Sequence, residues 1–451
     1  MFDLHIKNGV IVTSEQVFRG DVYVSGQQVA QLGNGQEDLP ARQVIDAAGN
    51  YVLPGFVDPH SHLNDPGLTE SEDFYTGTCS AAAGGITTVL EHPLTFPLPA
   101  SRQPFVEKRS IAAKKCVVDY CLFGACSPDN YKDIEAMLEE GAVAFKAFMP
   151  YSVEIPQLND GQLLAHLSNL RGRGAVLTVH CENDAIINQR TAALTAAGRV
   201  ACADYPQGRP AIAEIEAVNR LCLLTEASGG RSHVAHCSTA AGVEAVAAFK
   251  ERQVDITVET CVHYLYFNAD DLQRLGVFGV CNPPFRSPEE PEKLWRLIRQ
   301  GKVDFIGSDH AAYTVEEKQA GRGDAFKTPA GFTGIQTCFP FFFDQGVNKR
   351  KLDIRQFVAM SSANAAKRYG IFPQKGAVAI GSDADLVIFA PHSGYRVTPE
   401  SLFYKVKETP FLGMSIEGRV LSTIVRGRLV YDGEKILAQP GYGRFVRPRW
   451  Q

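Results

Sequence analysis

The stretch Gly55–Gly67, "GFVDPHSHLNDPG", ends an apolar run in a cluster of Asp58, His60, His62, Asn64 and Asp65. His60 and His62 are alternate residues, so an extended segment points both imidazoles the same way. The apolar residues before them read as a strand buried on both faces. If one buried strand ends in metal-ligand chemistry, the ends of the others become the question.

With "NYVLPGFVDPH" (50–60) as the first, eight apolar runs rich in β-branched residues follow one another. The rest are "ITTVLEHP" (86–93), "CVVDYCLFGAC" (116–126), "AVAFKAFMP" (142–150), "AVLTVHCEN" (175–183), "RSHVAHCS" (231–238), "VDITVETC" (254–261) and "VDFIGSDH" (303–310). Helix-like segments lie between them, such as "AEIEAVNRLCLLTEASGG" (213–230) and "AGVEAVAAFKERQ" (241–253). Thr69 and Glu72 have capping-box spacing ahead of the first helix. Eight strands alternating with helices predict an α/β fold, a (β/α)8 barrel of the TIM type. The rival, a doubly wound open sheet, would be expected to carry a glycine-rich phosphate fingerprint, and none is obvious.

In such barrels the C-terminal strand ends face the active site. In order they deliver His60 and His62, then Lys146, His180, His236 and Asp309. Four of the chain's 11 histidines therefore fall on one face. A single histidine at a strand end is more often structural than a ligand. The full set at matching positions points to a metal centre, since imidazoles suit zinc, manganese, iron or cobalt and Asp309 adds a hard oxygen.

Lys146 interrupts a run that should be buried. Burial disfavours the ammonium and lowers its pKa toward a neutral amine. A neutral amine can add carbon dioxide and become a carbamate able to bridge two metals. The alternative is a lysine that reaches a carboxylate or snorkels to the barrel mouth.

The 451 residues suffice for a large core, and the net charge of −5 gives no reason to expect nucleic acid or an anionic membrane as partner. The N-terminus lacks a signal-peptide pattern, and no run approaches a membrane span. The 11 cysteines form no C-x-x-C pair, so a reducing cytoplasm is the expected location. Both termini read as short strands punctuated by glycine, with Asp432-Gly433 suited to a hairpin turn.

The ordered motifs "DPHSHLNDPG", "AAAGGITTVLEHP", "FKAFM", "VHCEN", "HVAHCS", "ETCVHYL", "CNPPFR" and "IGSDHA" resemble the cyclic-amide branch of the amidohydrolase superfamily, which includes allantoinases, hydantoinases or dihydropyrimidinases, and dihydroorotases. The resemblance covers nearly the whole chain. It implies a small β-sandwich built from both termini (1–52 and 375–451) around the barrel (53–374). It also implies a binuclear centre: His60 and His62 on one ion, His180 and His236 on the other, carboxylated Lys146 bridging them, and Asp309 on the first. His233, three residues before His236, is assigned to packing.

The implied reaction is ring opening of a cyclic amide by a hydroxide bridging two divalent ions, zinc first, with manganese, iron or cobalt as alternatives. Asp309 would shuttle the proton and Tyr151 would support the oxyanion. Asn64, His263 and Asn282 are the candidate substrate contacts. Dihydroorotases resembling this chain carry arginine at the position of Asn64, so dihydroorotate is disfavoured. Allantoin is slightly favoured, with hydantoin or dihydropyrimidine rings or a cyclic imide as alternatives. Glu91, His92, Val262, Ala312 and Tyr313 depart from the usual motifs at or beside strand ends. The resemblance further implies a homo-oligomer, a tetramer or dimer. Some relatives have lost their ligands and serve as scaffolds, but all six ligand positions are filled here.

Overall fold

The computed structural model describes residues 1–35 and 39–450. Its larger sheet is wholly parallel and closes on itself. The strands are Phe56–His62, Ile86–Glu91, Asp119–Ala125, Ala144–Phe148, Leu177–His180, Ser232–Val234 and Ile256–Cys261, with the eighth in two pieces, Phe305–Gly307 and His310–Ala311. Phe305–Gly307 pairs with the seventh strand, and His310–Ala311 pairs with the first. The ring therefore closes across the break that holds Ser308 and Asp309. Nearly every strand residue is buried, as expected for strands with helices on one face and a filled barrel on the other.

The eight predicted barrel strands are present, and the long run 50–60 divides at Gly55. Tyr51–Pro54 lies in the other sheet, between Phe2–Val12 and Leu386–Arg396. A Cβ at Gly55 would overlap the Thr87 side chain, so the chain passes between layers where only glycine fits. The first helix, Phe74–Ala83, also starts differently from the expectation. Its N-cap is Asp73, whose carboxylate accepts from Thr76 N, and not the Thr69–Glu72 pair. Glu72 is instead fully buried, 3.3 Å from His310 Nε2. Two helices, Arg102–Lys115 and Asp184–Ala196, were not foreseen. The first buries only Phe105, Lys108 and Ala112 and the second only Ile187 and Leu194, so neither carries an apolar stripe.

The terminal segments form one continuous mixed sheet of eight strands. It closes over its own core, where Leu4, Ile6, Val22 and Val24 meet Leu386, Ile388 and Ile424. Asp432-Gly433 turns the chain so that Tyr431 bridges Ile436. The tail then leaves the sheet and runs along the barrel, where Phe445 bridges Tyr120 beside the third strand. The aromatic helix Ile335–Phe343 is buried throughout, and all eleven cysteines are free. Among the described residues no helix is long and apolar enough to cross a membrane.

Candidate metal centre

The first strand ends with His60 and His62 side by side, as alternation requires. Across the closing seam, Asp309 Oδ1 lies 3.3 Å from His60 Nε2 and 3.4 Å from His62 Nε2. From the fourth strand, Lys146 Nζ lies 3.4 Å from the same His60 Nε2. From the fifth and sixth, the rings of His180 and His236 stand 4.5 Å apart, with His236 5.2 Å from His60. All six predicted ligands thus gather at one end of the barrel. His236 and Asp309 both have positive φ, 35° and 47°, a backbone state that costs a non-glycine residue energy and clusters at functional sites.

The partners of these groups decide which atoms remain available. His60 Nδ1 donates to Glu259 from the seventh strand, which leaves Nε2 facing Asp309 and Lys146. The same carboxylate accepts from His236 N at 3.1 Å. His180 Nε2 donates to Glu182 at 2.7 Å, which leaves Nδ1 as its free nitrogen. Glu182 is held in turn by Arg209. A carboxylate behind a ligating imidazole fixes its tautomer and raises its basicity. His62 Nδ1 and His236 Nδ1 are buried without a hydrogen-bond partner.

Burial pushes the pKa of His60, His62, His180 and His236 below the ordinary value, which keeps the imidazoles neutral and their lone pairs available. Lys146 is pulled down to about 8 by burial, against the opposing pull of Asp309 and Glu259. Burial works to raise Glu182, but Arg209 and His180 outweigh it and bring the carboxyl to about 2. Four neutral imidazoles, a carboxylate and a buried amine form a donor set that fits divalent ions.

These groups floor a cavity of about 490 Å³. Asn282 and Tyr151 line it, whereas Asn64 and His263 do not; His263 lies beside Asp309, a ligand atom of each and of Cys261 falling within 4.8 Å of the others. Tyr151 sits on the rim, 68% exposed. Asn282 Oδ1 accepts from Tyr205 Oη at 2.8 Å. Asn64 spends its amide donors on Ser71 Oγ and the Ala312 carbonyl, at 2.8 and 2.9 Å, so it ties the first loop to the eighth. His263 is buried with neither ring nitrogen paired, and burial brings its pKa to about 4. His233 packs against Phe305 and bonds Thr257, away from the cavity.

Glu259 and Glu182 carry no functional reading from the sequence, and His92 only that of a departure at a strand end. His92 stacks on His60 with centroids 3.8 Å apart and could join His60 and His62 as a metal-ligand group. A carboxylate two residues after His180 was a visible signal for Glu182. For Glu259 there was none, because only the closed barrel brings it to His60.

The profile of the amidohydrolase family matches residues 51–430. An L-hydantoinase of Paenarthrobacter aurescens is 36% identical, covering 100% of this chain and 99% of its own. Allantoinases of Rubrobacter xylanophilus and Deinococcus radiodurans are 38% and 35% identical, each covering 99% of this chain, and 98% and 99% of their own lengths. Among solved structures, an L-hydantoinase (dihydropyrimidinase) from Arthrobacter aurescens superposes with a TM-score of 0.97 at 36% identity, covering 99% of this chain and 100% of its own. A dihydropyrimidinase from Brevibacillus agri gives 0.94 at 33% identity, covering 100% and 99%.

Proposed function

The chain belongs to the amidohydrolase family, and from that premise we propose that it is a metal-dependent hydrolase that opens a hydantoin-type cyclic ureide. The observation that carries this reading is the convergence of His60 Nε2, His62 Nε2, Asp309 Oδ1 and Lys146 Nζ on the cavity floor. Two divalent ions fit it, zinc first, with manganese, iron or cobalt as alternatives. His60, His62 and Asp309 would hold one, and His180 and His236 the other. Lys146, as a carbamate, would bridge them. When bound, such ions acidify a water and polarise a carbonyl.

Asp309 then takes the proton of the attacking water and returns it to the leaving ring nitrogen. Its carboxylate is the one among the ligands and already faces His60 and His62. Tyr151, on the rim, supplies a phenol to the oxyanion once substrate brings the carbonyl beneath it. Asn282 is the remaining cavity-facing substrate contact.

The choice among ureides rests on the cavity's other side chains. Allantoin and the 5-substituted hydantoins share one ring and differ in the substituent. Val153, 74% exposed, stands beside Tyr151 on the rim, and Leu94, Phe148 and Phe326 line the interior. These side chains offer an apolar patch to a 5-substituent, beside the polar Ser152, Glu154 and Lys327 of the same lining. Among the described residues that line the cavity, the cations besides Lys146 are Arg209, paired with Glu182, and Lys327, an exposed rim residue 3.3 Å from Asp324, so a carboxylate-bearing ring such as dihydroorotate meets no further buried cation free to grip it.

The test is metal analysis with a turnover panel of allantoin, hydantoin, 5-substituted hydantoins, dihydrouracil, dihydroorotate and cyclic imides. The expected result is about two ions per chain and fastest opening of an apolar 5-substituted hydantoin. Fastest turnover of dihydroorotate would overturn the substrate class. No ions after metal-supplemented expression would favour a scaffold.

A homo-oligomer, tetramer or dimer, in the cytoplasm completes the proposal. Ile212 and Leu223 are more than half exposed and lie three turns apart on one face of helix Ala211–Ser228, which supports a self-association surface. The free, mostly buried cysteines suit a reducing compartment.

A further inference from the structure

Lys318 is 2% exposed, and among the described residues no carboxylate is paired with it. A buried ammonium without a counter-ion needs other compensation. Lys318 Nζ finds it in three backbone carbonyls: Val280 at 3.1 Å, Pro329 at 2.8 Å and Gly331 at 2.8 Å. Burial pulls the Lys318 pKa down to about 7, and the three carbonyls, one for each donor of the ammonium, act the other way.

The three acceptors belong to two separate loops. Val280 precedes Asn282 in the loop after the seventh strand, and Pro329 and Gly331 follow the eighth. Both loops form the wall of the cavity that faces the metal centre, through Asn282, Thr328, Pro329, Ala330 and Gly331. One direct backbone bond joins them, from Gly331 N to the Val280 carbonyl at 3.0 Å, and that carbonyl also accepts from Lys318. Lys318 itself stands on a short helix, Val315–Ala320, held by a Thr314–Glu317 capping box. None of its partners is a proposed metal ligand.

We propose that Lys318 is a positioning residue that holds the two substrate-facing loops at a set spacing, so that it governs substrate grip and leaves the metal chemistry alone. The inference rests on reading this cavity as the substrate site. Its loss therefore raises KM with kcat and metal content preserved. A residue needed only for folding would lower the active fraction and leave KM unchanged.

The experiment compares full-length wild type, K318M and K318R by metal analysis, by steady-state kinetics on the best panel substrate, and by amide hydrogen exchange without substrate. K318M keeps the stem and removes the donors. It should raise KM about ten-fold with kcat within about two-fold, keep the wild-type metal content, and exchange faster over residues 278–283 and 328–333. K318R keeps the charge with planar donors and should fall between. An unchanged KM, or kcat and metal content falling together, would overturn the inference. If K318M does not fold, K318R decides: wild-type KM and wild-type exchange in it would overturn the proposal. If wild type opens no cyclic amide, the functional reading fails on its own, and the exchange measurement still decides whether Lys318 ties the loops.

Discussion

At the scale of single residues, the centre depends on groups that never touch an ion as much as on those that would. Lys146 is the clearest ligand test. If Lys146 bridges two ions as a carbamate, Lys146→Ala should abolish metal loading and turnover, with partial rescue by short carboxylic acids that occupy the vacated space. Full activity without added acid would exclude the carbamate. Glu259 makes a different test, because it holds His60 by Nδ1 and also accepts from His236 N. Glu259→Gln keeps the shape and loses the carboxylate. It should weaken metal affinity about 10- to 100-fold, read by metal retention against a graded chelator. His60, His62, Lys146, His180, His236 and Asp309 were legible in the sequence because strand ends in a barrel all face one way. Glu259 was not, because its meaning lies in a partner 199 residues away. Asn64 was legible as a site residue by position alone, while its amide donors are directed into the scaffold.

At the scale of elements, the eighth strand decides where Asp309 can be. Asp58 accepts from Ser308 N at 3.0 Å and from Ser308 Oγ at 2.6 Å, and Ser308 Oγ also lies 3.0 Å from the His60 carbonyl. These bonds pin the break between Phe305–Gly307 and His310–Ala311 against the first strand. Ser308→Ala removes the hydroxyl and leaves Asp58 one donor short in a buried place. It should cost about 1–3 kcal/mol in chemical denaturation and loosen metal binding. Wild-type stability together with wild-type metal affinity would show that the seam does not rely on this hydroxyl. The seven unbroken barrel strands were readable as buried apolar runs. The break in the eighth was not, since its cause is a hydrogen-bonding partner 250 residues earlier. The helices Arg102–Lys115 and Asp184–Ala196 were silent for a simpler reason: each buries too few side chains to leave a stripe.

At the scale of the whole molecule, barrel and terminal sheet are joined through a buried charge cluster. Lys375 Nζ contacts Asp119 at the start of the third barrel strand, and Asp383 and Asp385 beside the terminal sheet at 2.9 and 2.8 Å. Arg426 meets Asp119 as well, its backbone N–H donates to Asp385 at 2.8 Å, and Arg444 N of the tail donates to Asp119 at 2.8 Å. Three segments distant in sequence, around Asp119, Lys375–Asp385 and Arg426–Arg444, thus meet in one cluster, and its lysine is fully enclosed. Removing one partner of a buried ion cluster leaves the others uncompensated, and that penalty exceeds the net worth of the original pairing. Lys375→Met should therefore destabilise the protein by about 3–5 kcal/mol, seen as a lower denaturation midpoint. The folded protein should keep its metal content, because the cluster lies at the opposite end of the barrel strands from the ligands. Adding Asp385→Asn to Lys375→Met removes one stranded charge, since among the described residues Lys375 is the one side-chain cation on Asp385, and should recover part of the loss, so the two changes will not add. If Lys375→Met unfolds at the wild-type midpoint, the two layers are held by apolar packing alone and the cluster contributes nothing to their union.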